Sequence, residues 1–116
     1  MNRGDVVLVY VPFVGKPGGK KRPAVIVLCD ALNAALRETV IVEVTSNVSR
    51  AGKPHQVFID VSTPDGAGSG LLTDSAVRCE RLHTIPQADV LRSIGSLSPT
   101  IIRLVDEALK AALGIP

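Results

Sequence analysis

The sequence is poor in aromatic residues, cysteine and histidine, and each scarcity argues against a class of protein. Aromatic side chains make up 3% of the 116 residues and tryptophan is absent, so aliphatic side chains must fill the core. The two cysteines, Cys29 and Cys79, lie in apolar runs without zinc-site spacing. We expect both to be small buried hydrophobic side chains, with no disulfide between them. The two histidines are far apart and no DxD or HExxH pattern occurs, so we expect neither a metal nor another cofactor.

Signals for export, membrane insertion and two common hydrolytic mechanisms are also missing. The N-terminus leads directly into an apolar segment, and no apolar stretch approaches the roughly 20 residues of a membrane span. We therefore expect a soluble, cytoplasmic protein that does not bind membranes. The sequence has no GxSxG nucleophile motif, and its glycine-rich loop does not end in GKS or GKT. These absences argue against Ser-His-Asp hydrolases and P-loop nucleotide hydrolases.

The chain is instead rich in short aliphatic runs separated by turn residues. Hydrophobic residues make up 46% of the sequence, which suffices for one core, and the length predicts a single domain over residues 1–116. Glycine, proline and polar residues predict loops at 12–21, 47–54 and 63–70. This pattern predicts a mainly β protein, either a small barrel or a sandwich. The predicted strands are Val6–Val11, Ala24–Cys29 (buried on both faces), Thr39–Ser46, Gln56–Asp60 and Ser75–Ile85.

The C-terminus has a helical pattern. Ser98 is a favourable cap before Pro99, and Gly114 is a suitable C-terminal stop. A weaker helix is expected over residues 87–93. We therefore predict a twisted antiparallel sheet covered by one long terminal helix. That helix has one apolar stripe, formed by Ile101, Ile102, Val105, Ala108, Leu109 and Ala112.

Charge is concentrated at one place. The net charge of +2 is too small to predict a nucleic-acid partner by itself. Four cations nevertheless fall within seven residues, at Lys16, Lys20, Lys21 and Arg22, with no acidic residue nearby. This cluster is either a patch that attracts anions or a solvated basic loop, and charge alone does not separate the two.

Several polar residues stand at the edges of apolar strands. Arg22 joins the basic loop to a buried strand, and Thr45 and Ser46 end the third strand. Arg78 and Glu80 are two residues apart on a strand and should point to one face. Taken singly, each has an ordinary structural explanation, such as an extended arginine stem, a strand terminus or a surface ion pair.

Taken in order, these features resemble the MazF/PemK toxin endoribonucleases across nearly the whole chain. The Arg78-Cys79-Glu80 run with its flanking residues is especially similar to the PemK/Kid branch. The segments that carry the resemblance are RGDVVLV (3–9), a glycine-rich loop, RPAVIVL (22–28), VTS (44–46), DSAVRCERLHTI (74–85) and IGSLS (94–98).

The resemblance implies an SH3-like small barrel of the CcdB/MazF/PemK type with a long C-terminal helix. It implies the toxin of a type II toxin-antitoxin system, usually a homodimer with RNA in a groove across both subunits. The implied reaction is metal-independent, sequence-preferring cleavage of single-stranded RNA. A 2′-hydroxyl attacks the adjacent phosphate, leaving a 2′,3′-cyclic phosphate and a 5′-hydroxyl. A cognate antitoxin of the MazE/PemI kind would block the groove with a segment that folds on binding.

The resemblance also assigns roles. Glu80 stands at the position of the base and Arg78 at that of a charge-stabilising arginine, while Thr45 and Ser46 would bind phosphate oxygens. In the MazF branch the emphasis falls on Arg22 and Thr45, so both schemes stay open. Lys16, Lys20 and Lys21 are predicted to contact the RNA backbone.

Two departures from the family pattern bear on activity. The first loop lacks the family's usual His or Ser followed by Glu-Gln, and Glu80 replaces an aspartate. His55 and His83 match no catalytic position. The alternatives are non-catalytic: a gyrase poison like CcdB, which depends on a C-terminal tryptophan absent here, or a degenerate homologue that only binds antitoxin.

Overall fold

The computed structural model describes the whole chain, Met1–Pro116. Six strands form one antiparallel sheet that curls into a half-barrel. Its strand order is β4-β5-β3-β2-β1-β6. The strands are β1 (Asp5–Pro12), β2 (Gly19–Ile26), β3 (Glu38–Thr45), β4 (Gln56–Ile59), β5 (Ser75–Pro86) and β6 (Val90–Ser96). The helices are α1 (Asp30–Ala35), α2 (Pro64–Ala67) and α3 (Pro99–Leu113), and a 3-10 turn covers Gln87–Asp89.

Helix α3 covers one face of the sheet, and its prediction is confirmed. The Ser98 hydroxyl accepts a hydrogen bond from the Ile101 backbone amide at 3.2 Å, and Gly114 ends the helix at a φ of 70°. Val105 and its neighbours in the apolar stripe pack on the sheet core. None of the helices is long and apolar enough to cross a bilayer. The buried residues on this side are Val6, Val25, Val42, Val44, Val57, Ile59, Val77, Cys79, Leu97, Ile101, Val105 and Ala108.

A second, smaller cluster lies on the other face of the sheet. Because side chains alternate along a strand, Ala24 and Ile26 point away from α3 while Val25 points toward it. This confirms the prediction that the second strand is buried on both faces. The opposite face is therefore apolar in the middle of the sheet, and any polar site must lie toward the strand ends. The cluster consists of Val7, Val9, Val11, Ala24, Ile26 and Ile41.

The first hairpin differs from its prediction. Residues 12–21 were expected to be a loop, but β2 begins at Gly19 and the loop spans residues 13–18 only. The glycines and lysines were wrongly assigned because hairpin pairing overrides their low strand propensity: Pro12 pairs with Gly19 and Tyr10 with Lys21. Gly15 and Gly18 have positive φ angles of 76° and 90°, which let the short loop reverse direction. The hairpin consequently carries Lys20, Lys21 and Arg22 on a strand.

The predicted helix over residues 87–93 is wrong. Only Gln87–Asp89 make a helical turn, and Val90–Ser96 form the edge strand β6, which pairs with β1. The Gln87 side-chain amide donates to the backbone carbonyls of Asn33, Leu36 and Glu38 at 2.8, 3.0 and 3.1 Å. These long-range hydrogen bonds and the free edge of β1 explain why the segment is extended and not helical.

The two cysteines differ from each other. Cys79 is buried as predicted, and burial together with the adjacent Glu80 charge raises the pKa of its thiol to about 12. Cys29 is exposed, which contradicts its prediction. The second strand ends at Ile26, and α1 begins directly after Cys29, so the chain has already left the sheet at that point. Both thiols are free.

Candidate active site

Three neighbouring strands carry Arg22, Thr45 and Arg78 on the face opposite α3. Glu43 of β3 pairs with Ala24 of β2 on one side and with Arg78 of β5 on the other. Arg22 lies two residues before Ala24, and Thr45 lies two residues after Glu43. Since side chains alternate along strands, Arg22, Thr45 and Arg78 share one face, in adjacent rows.

Two adjoining cavities open near these residues. The polar cavity has a volume of about 170 Å³ and no hydrophobic side chain in its lining. The basic groove has a volume of about 320 Å³. Thr45 lines both. The polar cavity is lined by Thr45, Asn47, Ser49, Arg50, Gln56 and Arg78. The lining of the basic groove includes Lys20, Lys21, Arg22, Thr45, Ser46, Leu71, Leu72 and Arg92.

The structure thus brings Arg22, Thr45 and Ser46 together in the basic groove and places Arg78 beside Thr45 in the polar cavity. Lys20 and Lys21 line the basic groove. Lys16 lines neither cavity: its ammonium lies 4.7 Å from the centre of the Phe13 ring. The predicted RNA-contacting cluster is therefore divided between the groove wall and the hairpin tip.

Glu80 lies in a bulge of β5. Arg78 pairs with Glu43 but Leu82 pairs with Val42, so Cys79–Arg81 are extra residues on β5. The Cys79 amide donates to the His55 carbonyl at 3.1 Å, which anchors the bulge. The spacing predicted Arg78 and Glu80 on one face by simple alternation. In the bulged strand Arg78 Nε still lies 3.8 Å from Glu80 Oε2.

The Glu80 carboxylate is loosely held. Its side chain is 30% exposed, and its shortest hydrogen bond is 3.1 Å, donated by Gln56 Nε2. His55 Nε2 lies 3.8 Å from the same carboxylate. A partly exposed carboxylate with few strong partners is free to accept a proton from a bound hydroxyl group.

Gln56 was not predicted from the sequence. Its Nε2 must face Glu80, because a carboxylate only accepts hydrogen bonds. Its Oε1 is buried and has no hydrogen-bond partner. Nothing in the local sequence marks this glutamine, since it simply begins a short strand; only the pairing of Gln56 with Arg78 brings it to the site.

Glu43 is the second residue that sequence reasoning missed. Its side chain is 3% exposed and contacts His83 Nε2 at 2.6 Å and Arg81 Nε at 3.2 Å. Burial alone would raise the pKa of Glu43, but the hydrogen bonds and charges of His83 and Arg81 outweigh burial and lower it. The available signal was a charged residue inside the apolar run Val40–Val44, which is costly unless the charge is paired.

The described residues contain no group of three or more His, Cys, Asp or Glu side chains that could hold a metal ion. The polar chemistry at this face consists of guanidinium, hydroxyl, amide, imidazole and carboxylate groups.

Comparison with known families gives one match across nearly the whole chain. Residues 2–113 match the family described as "PemK-like, MazF-like toxin of type II toxin-antitoxin system". Endoribonuclease MazF9 of Mycobacterium tuberculosis is 32% identical, with 99% of this chain and 98% of the relative covered. Endoribonuclease EndoA of Bacillus subtilis is 28% identical, with 99% and 96% covered.

Solved structures agree with the fold. An endoribonuclease in complex with its cognate antitoxin, from a mycobacterial species, has a TM-score of 0.79 at 23% identity, with 100% of this chain and 97% of that chain covered. A MazE-MazF structure from Deinococcus radiodurans has a TM-score of 0.76 at 17% identity, with 100% and 98% covered. These likenesses confirm the predicted mainly β fold with a C-terminal helix.

Proposed function

Since this chain belongs to the family of PemK-like, MazF-like toxins of type II toxin-antitoxin systems, we propose that it is an endoribonuclease that cuts single-stranded RNA without a metal ion. The observation that carries the mechanism is the Arg78–Glu80 pair, 3.8 Å apart beside a cavity that Thr45 shares with the basic groove. A phosphodiester lying over Thr45 has a carboxylate and two guanidinium side chains on the strands around it.

The reaction has a simple proton balance. Glu80 accepts the proton of a ribose 2′-hydroxyl, and the oxygen attacks the adjacent phosphorus. The bond from phosphorus to the 5′-oxygen of the next nucleotide breaks, leaving a 2′,3′-cyclic phosphate. The released oxygen takes a proton from water to become a 5′-hydroxyl, and Glu80 returns its own proton to the solvent. The nucleophile explains why RNA rather than DNA is the substrate.

The cations and hydroxyl groups have stabilising roles. Negative charge builds up on the phosphate oxygens as the fifth bond to phosphorus forms, and fixed guanidinium groups lower its energy. Arg78 acts from the side of the polar cavity and Arg22 from the basic groove, so one arginine does not replace the other. Thr45 and Ser46 donate hydrogen bonds to the same oxygens. Proton donation by arginine is unfavourable because a guanidinium group stays protonated in proteins.

The assembly follows the family. We propose a homodimer with RNA in a groove across both subunits, inhibited by a MazE/PemI-like antitoxin that folds on binding. The antitoxin complexes among the similar folds support this proposal. A toxin that acts on cellular RNA would work in the cytoplasm.

The decisive experiment combines cleavage mapping with product analysis. The purified protein is incubated with a long unstructured transcript in EDTA, and the new ends are mapped by primer extension. We expect cuts at a short preferred sequence, 5′-hydroxyl ends that a polynucleotide kinase labels directly, and 2′,3′-cyclic phosphates. Loss of cutting in EDTA, or 5′-phosphate ends, would contradict the mechanism.

A further inference from the structure

Most of the residues that line the polar cavity have no role in the proposed cleavage step. Arg78 and Thr45 account for part of its lining, and the rest comes from the β3–β4 loop and the start of β4: Asn47, Ser49, Arg50 and Gln56. None of these four residues has a role in the proposed cleavage step. The cavity nevertheless adjoins the reacting groups, because Thr45 lines it as well as the basic groove.

The chemistry of the lining fits an anion. Two guanidinium side chains, Arg50 and Arg78, line the cavity and no carboxylate does. Arg50 forms no ion pair with any residue of the chain. Two unpaired or loosely paired cations converging on a cavity with hydroxyl groups form a favourable site for a phosphate, which guanidinium groups bind through several hydrogen bonds.

The same lining disfavours a nucleobase. Proteins that bind bases of single-stranded RNA stack them on aromatic or other flat side chains. The polar cavity has no aromatic and no hydrophobic side chain in its lining. A base placed there would exchange water for polar groups without a surface on which to stack.

The buried oxygen of Gln56 supplies a second, independent observation. Gln56 is 8% exposed and its Nε2 is held by Glu80, which leaves Oε1 buried with no partner. Leaving a buried acceptor unpaired costs free energy, and such an atom is commonly completed by a ligand or water. A small rotation of the Gln56 side chain would bring this oxygen into the cavity, where a ribose hydroxyl of a bound sugar-phosphate chain can donate to it.

We infer that the polar cavity is a subsite for a second ribose-phosphate unit of the RNA, next to the one that is cut, with Arg50 as its phosphate-binding residue. This inference rests on the proposed function for its substrate. It assigns Arg50 to binding rather than to the chemical step. It also gives the chain a contact with the RNA backbone that is independent of base sequence.

The test is a charge-deletion cycle. Noncleavable oligonucleotides, with a 2′-deoxyribose at the attacking nucleotide, carry a single neutral methylphosphonate moved along the chain in turn. Binding to the wild-type protein, Arg50→Gln and Lys53→Gln is measured by fluorescence anisotropy. Lys53 is the matched control, because it is an exposed cation in the same loop that does not line the polar cavity.

We expect Arg50→Gln to weaken binding about tenfold or more and Lys53→Gln to weaken it much less. One methylphosphonate position, adjacent to the cut linkage, should weaken wild-type binding by a similar factor and leave Arg50→Gln binding unchanged. The cleavage rate of Arg50→Gln at saturating RNA should stay within about threefold of wild type. The contact that this variant loses stabilises the bound RNA and the transition state equally. Equal melting temperatures of the wild type and both variants would show that these substitutions in the exposed loop do not unfold the protein.

Three results would overturn the inference: equal losses for Arg50→Gln and Lys53→Gln, additive losses at every methylphosphonate position, or an Arg50→Gln loss that depends on base identity instead. The inference and the proposed function fail separately. A wild-type protein that cuts no RNA removes the function, whereas the binding cycle still decides the subsite.

Discussion

Glu80 lies within the bulge of β5 and Glu43 lies opposite it on β3, and the protein holds these two glutamates in opposite ways. Glu43 is 3% exposed, with His83 at 2.6 Å and Arg81 at 3.2 Å from its carboxylate. Glu80 is 30% exposed, with its best hydrogen bond at 3.1 Å and with Arg78 Nε and His55 Nε2 each at 3.8 Å. Glu43 has its hydrogen bonds satisfied within the fold, while Glu80 keeps capacity for another partner.

The contrast separates structural from chemical roles. A buried carboxylate that loses its partners costs several kcal/mol, so Glu43 must stay paired for the fold to be stable. A carboxylate that takes up a substrate proton must not be fully engaged beforehand. On this basis changes at Glu80 should affect cleavage and not stability, and changes at Glu43 should affect stability first.

The largest effect is expected for Glu80→Gln. The amide keeps the size and the contact with Gln56 but cannot accept the 2′-hydroxyl proton, so the single-turnover cleavage rate should fall about 10²–10⁴-fold. The free energy of unfolding should change by less than about 0.5 kcal/mol. Glu107→Gln, at a 73% exposed side chain on α3, is the matched control for loss of one charge. Wild-type cleavage by Glu80→Gln would leave only the scheme based on Arg22 and Thr45.

A smaller effect, on stability, is expected for Glu43→Gln. Both hydrogen bonds end on one carboxylate oxygen, and a neutral amide oxygen in its place would accept them from Arg81 and His83 without the negative charge that strengthens them. We expect the free energy of unfolding to fall by about 2 kcal/mol in urea titrations. A cleavage rate that fell as far as in Glu80→Gln, at unchanged stability, would show that the two carboxylates had been assigned the wrong way round.

The difference between these two residues shows where sequence analysis stops. The spacing of Arg78 and Glu80 is local, so their proximity could be predicted even though a bulge replaced the regular strand. The partners of Glu43 are 38 and 40 residues away in sequence, and no local pattern identifies them. The buried stripe of α3 was predictable because its 3.6-residue period and its Ser98 cap both lie in one continuous segment of the sequence.

The errors have the same origin. Residues 87–93, which include the first part of β6, were predicted to be a weak helix because this short segment carries little periodicity. Only pairing with the edge of β1 makes residues 90–96 extended. Gly19–Lys21 were assigned to a loop by composition and are held in β2 by the same kind of nonlocal pairing. Cys29 lies in an apolar run, yet the strand ends three residues earlier and exposes it.

The pH dependence of the free energy of unfolding tests the assignment of Glu43 as a structural residue. Burial raises the pKa of Glu43 and its bonds to His83 and Arg81 lower it, with the net result below the ordinary value of 4.5. A carboxyl group with a lowered pKa in the folded state stabilises the fold above its unfolded pKa and loses this contribution as the pH falls through its folded value. The stability gap between wild type and Glu43→Gln should therefore narrow as the pH falls below 4.5 and through the lowered pKa of Glu43. Urea titrations across this range measure the gap, and a gap that widens toward acid would contradict the ion pairing.

The smallest effect is expected for His55→Gln. His55 Nε2 lies 3.8 Å from Glu80, beyond hydrogen-bond distance, whereas the backbone carbonyl of His55 anchors the bulge through the Cys79 amide at 3.1 Å. Replacing the side chain leaves the carbonyl in place, so the position of Glu80 should not change. We expect the cleavage rate to stay within about threefold of wild type at neutral pH, because partly exposed ion pairs contribute little. A loss as large as that of Glu80→Gln would place the imidazole in the proton transfer itself, and Glu80 would then act by orienting it.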